Sequence, residues 1–200
     1  MALYRILDVP AIYSLSQRIF AWGAEAEISR QVLEIQNSMP YAKGTLLDLG
    51  CGPKSWITQT GVAPVGLDLN FEYMKAYSSA TSLAVVASAT AIPFPTECFA
   101  GVWSIGLLHH VGDVDVTRII EEAFRVCRAG GYVAIFDAVK PERLCRRPLA
   151  ALIRKCDRGK FMRTESELKA LLSNVHHWNF NRVTYSLTGL EMLICTARKS

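Results

Sequence analysis

Two short runs, LLDLGCGPKS (46–55) and GLDLN (66–70), hold residue types that could grip a small polar ligand. Gly50 and Gly52 let the backbone bend tightly and approach a ligand with no Cβ in the way. The N–H groups that open a helix expected over 54–60 would favour an anionic or electron-rich group there. Asp48 places a carboxylate at the carboxyl end of a strand, the side on which open α/β sheets bind ligands. Asp68 follows a second strand 20 residues later, where a carboxylate can accept hydrogen bonds from both ribose hydroxyls of an adenosine. A glycine turn alone serves structure as readily as binding, and a lone Asp is more often a cap or turn residue. The pair at this spacing turns the reading toward binding.

The run Gly50-Cys51-Gly52-Pro53-Lys54-Ser55 lacks the third glycine of GxGxxG, since Ser55 stands in its place. A nicotinamide dinucleotide is therefore disfavoured, and no GxxxxGK[ST] is present for a nucleoside triphosphate. A reductase would also want a Tyr-x-x-x-Lys pair. Tyr73 is followed four positions later by Tyr77, and no such pair stands in the later half. The six cysteines form no CxxC, so no metal site is expected and the thiols read as reduced and structural.

These residues need a scaffold that presents strand ends. Strands are expected at 45–50, 64–70, 83–87, 99–106, 132–139, near 176–186 and at 189–197, with helices interleaved through the middle of the chain. That is the pattern of a parallel sheet wrapped by helices. Residues 9–22 read as an amphipathic helix on Ile12, Leu15, Ile19 and Phe20, with Asp8 and Pro10 at its start. Residues 24–37 repeat the pattern with Ile28, Val32 and Ile35. A helix over 115–128 carries Val116, Ile119, Ile120, Ala123 and Val126 on one face, and Gly130-Gly131 are expected to stop it. Another helix is expected near 164–173.

In order, LLDLGCGP, GLDLN, VVASATAIPFPTECFAGVWSIGLLHHV and EEAFRVCRAGGYVAIFD resemble the successive motifs of class I S-adenosylmethionine (SAM)-dependent methyltransferases. The similarity is greatest to the broad subgroup acting on small molecules, lipids and quinones, and covers roughly residues 44–139. It implies a Rossmann-like α/β fold: a seven-stranded, mostly parallel sheet, helices on both faces and an antiparallel last strand. It also implies SAM as cofactor. Asp48, Gly50 and Gly52 would hold its methionyl part, with Leu49 and Cys51 also in the cofactor site. Asp68 would bind the ribose, Leu69 would pack on adenine, and Ser88 and Ala89 would lie along the adenine edge. Ser104, Ile105 and His109 would line the methionine side. Tyr13, with Tyr4 as the other candidate, would close over the cofactor, or would serve packing only. Two positions depart from the family pattern. Ser88 replaces an Asp that accepts from the adenine amino group, weakening that bond by about 1 kcal/mol. Ala100 replaces an Asp expected near the cofactor.

Methyl transfer from a sulfonium is an in-line displacement, in which positioning can supply about 7–11 kcal/mol. An oxygen or nitrogen acceptor often needs deprotonation, and His109 and His110, after the fourth strand, are the nearest bases by chemistry. His176 and His177 come second.

With half of its 200 residues hydrophobic and a fifth charged, the chain can bury a full core. One domain is expected: an N-terminal helical cap (1–43), a cofactor-binding core (44–139), a basic substrate-side segment (140–165) and a C-terminal helix with strands (166–200). The net charge of +4 is uneven. Lys140 to Arg163 hold nine basic residues against two acids, and the rest of the chain is slightly acidic. Such a flap suits an anionic small-molecule or lipid-like acceptor, or peripheral membrane contact; a solvated surface is the plain alternative. Nucleic acid is disfavoured by sparse aromatics there. No run is long enough to span a membrane and no signal peptide is read, so a cytoplasmic location is expected. The competing function is a non-catalytic SAM-binding partner subunit of the same fold.

Overall fold

The computed structural model describes residues 23–38, 44–80, 83–141, 150, 153, 159–173 and 176–200. The expected helix over 9–22, Tyr4 and Tyr13 lie outside these residues, as do Arg143, Arg146, Arg147, Arg154, Lys155 and Arg158 of the basic segment.

Helix α1 (Ala24–Ser38) turns Ile28, Val32 and Ile35 inward, the face its spacing predicts. Strand β1 (Leu46–Leu49) is buried along its whole length, as a central parallel strand must be. Strand β2 (Val65–Asp68), helix α2 (Phe71–Ala80) and strand β3 (Ala84–Val86) follow. Next come β4 (Phe99–Ile105), α3 (Asp113–Val126), β5 (Cys127–Ala138), α4 (Glu165–Ser173), β6 (Asn179–Thr184) and β7 (Glu191–Arg198). The seven strands form one sheet in the order β3-β2-β1-β4-β5-β7-β6. Pairing is parallel from β3 through β5, and β7 runs antiparallel to both of its neighbours.

From β1 the chain winds outward to β2 and β3, then returns to place β4 on the other side of β1. The carboxyl ends of β1 and β4 therefore flank the switch point where such sheets open a crevice. Two cores cover the faces. One joins α3 and α4 residues (Val116, Ile120, Phe124, Leu168) to Leu49, Val102 and Ile135. The other joins α1 to Trp103, Tyr132, Phe136 and Ile194. Inside the second, Trp103 Nε1 donates to the Tyr132 hydroxyl at 2.6 Å, which satisfies both buried polar atoms.

Two local expectations are corrected. In place of a helix over 54–60 there is a single 3-10 turn, Ile57–Thr60. The helix expected to run to the Gly130-Gly131 pair ends at Val126, and Cys127 is already extended. The glycines instead serve a bulge. Cys127 pairs with Phe99 and Tyr132 with Gly101, so the intervening residues loop out, with Gly130 at φ +73°. No helix among the described residues is long and apolar enough to cross a membrane.

Candidate cofactor and active site

Gly50 and Gly52 sit in the left-handed region, at φ +65° and +63°, which glycine adopts without steric cost. A Cβ on Gly50 would come within 2.8 Å of Leu107, whereas one on Gly52 would meet nothing within 4 Å. The bend thus packs on one side and opens on the other.

Its N–H groups are already engaged. Gly50 and Cys51 donate to the Leu67 carbonyl at 2.7 and 3.3 Å, and Gly52 donates to Asp68 Oδ2 at 3.1 Å. The Ile57 N–H goes to Ser55 Oγ. The helix expected to open here is a 3-10 turn instead. What the bonds achieve is registration: Asp68, on β2, is tied to the loop that follows β1. The other Asp68 oxygen accepts from the Asn70 N–H at 2.9 Å. Each oxygen carries one backbone bond and has lone-pair capacity left.

Around Asp68 the surface is apolar. Leu69 is 72% exposed, and Val86, paired with Asp68 across the sheet, is 49% exposed. The Ala87 N–H donates to the Asp68 carbonyl at 3.1 Å, drawing the end of β3 to the same rim. An acid flanked by exposed aliphatic side chains suits a ribose with a flat base beside it.

Asp48 is 1% exposed. It stands between Gly66, which has no side chain, and Trp103. Its Oδ2 accepts from Ser55 Oγ at 2.5 Å, and its Oδ1 is buried without a partner. Burial pushes this carboxyl up to about 7; the Ser55 hydrogen bond pulls it back, and the charge of Asp68 adds to the rise. Burial likewise raises Asp68, against its backbone hydrogen bonds.

At the carboxyl end of β4, Ser104 Oγ is also buried and unpartnered. Ser104 shares register with Leu49, one position on from the Asp48–Trp103 pair, so it projects to the opposite face from Asp48. Ile105 packs with the Trp103 cluster. The turn Leu108–His110 then sets two imidazoles apart. His109 is buried, and its Nδ1 is hydrogen-bonded to Asp137 Oδ1 at the end of β5. His110 is exposed, its ring 4.1 Å from that of His109.

A strap roofs this turn. The Phe161 N–H donates to the His109 carbonyl, and Gly159 lies so close that a Cβ there would come within 2.4 Å of the His109 ring. Arg163, 7% exposed, donates to the Leu108 and Val111 carbonyls at 2.8 and 2.9 Å and to Asp113. One of the nine basic residues is therefore a buried structural clamp. Ala150 and Ile153 also pack, on the α1 face.

Other expected residues make contacts of their own. Cys51 is buried against Tyr73, Met74 and Tyr77 beneath α2, and burial raises its thiol far above the ordinary value. Ser88 Oγ pairs with Thr90 Oγ1 at 2.8 Å and accepts from the Thr90 N–H. Ala89 is core. His176 stacks on Phe124, with ring centroids 3.4 Å apart, just before the amino end of β5 and thus at the far end of the sheet. Ala100 is also remote: it is the second residue of β4, four residues or about 13 Å from Ser104, and is enclosed by Gly44 and the Gly131 bulge. Its replacement of an acid bears on that packing, not on the crevice.

Sequence reasoning missed Ser55, Asp137 and Arg163. Asp137 did leave a signal, as the one charge in the apolar strand YVAIFDAV.

Residues 47–135 match the family described as a methyltransferase domain. A tRNA (carboxymethyluridine(34)-5-O)-methyltransferase of Arabidopsis thaliana is 28% identical over 138 residues, 66% of this chain and 31% of that protein. A 27-O-demethylrifamycin SV methyltransferase of Amycolatopsis mediterranei (strain S699) is 29% identical over 126 residues, 56% of this chain and 46% of that protein. The match thus spans about a third to about half the length of these relatives. Among solved structures, a SAM-dependent methyltransferase of Thermotoga maritima superposes with TM-score 0.75 at 15% identity, covering 98% of this chain and 99% of its own. The geranyl diphosphate C-methyltransferase of Streptomyces coelicolor A3(2), in complex with Mg2+, geranyl diphosphate and S-adenosyl-L-homocysteine, gives 0.67 at 13%, covering 86% and 79%. These likenesses establish the fold.

Proposed function

We propose that this chain, whose residues 47–135 match a methyltransferase-domain family, is a class I methyltransferase that transfers a methyl group from S-adenosylmethionine to a small-molecule acceptor. The observation that carries the reading is the carboxylate of Asp68 hydrogen-bonded to the open Gly52 bend, which puts an acid and a bare backbone at one sheet edge. Asp68 accepts from the ribose hydroxyls, and Leu69 and Val86 flank the base. Asp48, with its unpartnered Oδ1, receives the ammonium of the methionyl arm. When bound, the cofactor supplies a methyl group on an electrophilic sulfur.

The protein's own work is alignment, exclusion of water and, for an oxygen or nitrogen acceptor, removal of a proton. His109 is the base. Asp137 holds its Nδ1, fixing ring and tautomer, the usual role of a carboxylate behind a catalytic imidazole. His110 is exposed.

The acceptor does not transfer from the relatives, since those methylate a tRNA base and a rifamycin, and a structural neighbour methylates geranyl diphosphate. The resemblance of the motif order to the small-molecule, lipid and quinone subgroup favours a small-molecule acceptor. The basic residues left after Arg163 is withdrawn support an anionic one. The second reading, a SAM-binding subunit without catalysis, rests on Ser88, which turns its hydroxyl to Thr90.

Calorimetry with SAM tests the binding half: micromolar binding is expected, weakened at least tenfold in Asp68→Ala. Release of S-adenosylhomocysteine in an acceptor screen tests the transfer half. Absence of SAM binding overturns the reading; tight binding with no acceptor favours the partner subunit.

A further inference from the structure

Ser55 is fully buried, and its hydroxyl is committed twice. It donates to Asp48 Oδ2 at 2.5 Å and accepts from the Ile57 N–H at 3.1 Å. The second bond anchors the hydroxyl to the 3-10 turn, so the first fixes the Asp48 carboxylate from one side. Asp48 Oδ1 is left in the interior with no partner, a costly state for an acceptor unless something arrives to satisfy it. The charged and titratable neighbours of Asp48 are few. They are Asp68 at the end of β2 and the Cys51 thiol, and β4 presents Trp103; the pair between Glu25 of α1 and Lys54 of the glycine loop is exposed. No cation among the described residues compensates the site.

Resting on the SAM reading above, we propose that Ser55 is a cofactor-positioning residue, which clamps Asp48 so that its unsatisfied oxygen takes the methionyl ammonium, and that this capture expels a proton from Asp48. In the free protein, burial keeps Asp48 substantially protonated near neutrality. The arriving ammonium favours the carboxylate, so the proton leaves to solvent as the ion pair forms. Two consequences separate this from a structural hydroxyl. Affinity rises with pH up to and through about 7, and levels off once Asp48 is ionised before binding. Removing the Ser55 donor, which favours the carboxylate, moves that rise to higher pH.

The test is calorimetry of SAM binding from pH 5.5 to 8.5 in buffers of different ionisation enthalpy, which counts protons released. Wild type should release close to one proton at pH 6 and almost none at pH 8.5. 5′-Methylthioadenosine, which lacks the ammonium and carboxylate, should bind without release. Ser55→Ala should bind SAM about tenfold more weakly at pH 7, with its pH midpoint displaced upward, and Ser55→Thr should restore both. Should Ser55→Ala fail to fold, Ser55→Cys, a weaker donor, is read in the same way. Wild-type affinity and an unmoved midpoint in these variants overturn the role of Ser55. Proton release that persists in Asp48→Asn, or that methylthioadenosine also provokes, overturns the capture. A wild type that binds neither ligand sinks the SAM reading itself, a result distinct from all of these.

Discussion

Asp68 does two jobs with two oxygens. It fixes the Gly52 bend and faces the open rim beside Leu69. Asp68→Asn keeps the size but loses the charge and one acceptor, so SAM affinity should fall by about 1.5–3 kcal/mol, the worth of a charge-assisted hydrogen bond. Calorimetry reads this directly, and an unchanged affinity would place the ribose elsewhere. At the other side of the crevice, His109→Asn should lower turnover by about 10²–10⁴ for an acceptor that must lose a proton. Asp137→Asn should give a smaller loss, because the ring keeps its place but loses the carboxylate that holds its Nδ1. A rate–pH profile of both variants checks the pair. Asp48, Gly52 and Asp68 were legible because each needs only its residue type and chain position. Ser55 and Asp137 were not, since their importance comes from partners 7 and 28 residues away.

At the scale of elements, the strap at 159–163 shows how a basic segment can be misjudged from its charge. Arg163 is held by two carbonyls of the 108–111 turn, and its own carbonyl accepts from the Lys140 N–H. Arg163→Met keeps much of the stem but orphans those carbonyls. It should destabilise the fold by about 2–3 kcal/mol, read as a lower urea midpoint. Little of that loss comes from Asp113, whose side chain is three-quarters exposed. The same strap closes over His109, so the variant should also impair turnover more than SAM binding. A parallel clamp holds the 92–97 loop. Arg125 donates to the Phe94 and Ile92 carbonyls and pairs with Glu122.

For the whole molecule, Asp48 links stability to pH in an unusual direction. Its folded pKa is raised to about 7 from the ordinary 3.8. Between these values the unfolded chain ionises while the folded one keeps its proton, so this group's contribution to stability is present below about 4 and falls as pH rises to about 7. Asp48→Asn should therefore be more stable than the unliganded wild type at pH 8, by about 1–3 kcal/mol, while binding SAM poorly. Urea denaturation at pH 5 and pH 8 measures both halves; a variant no more stable than wild type at pH 8 contradicts the assignment. SAM should reverse the ranking by stabilising only the protein that binds it.

The order of the motifs, the alternation of strands with helices and the position of the acid after β2 were set by the sequence alone, because periodicity and glycine chemistry act over a few neighbouring residues. Only the tertiary structure decided that the helix after the glycine loop shrinks to a 3-10 turn, and that Ala100 stands at the wrong end of the sheet to matter to the crevice. It also decided that His109 is buried and backed by the Asp137 carboxylate. Those outcomes depend on which strand ends meet and which polar atoms are left buried, and such facts exist only once distant parts of the chain have been brought together.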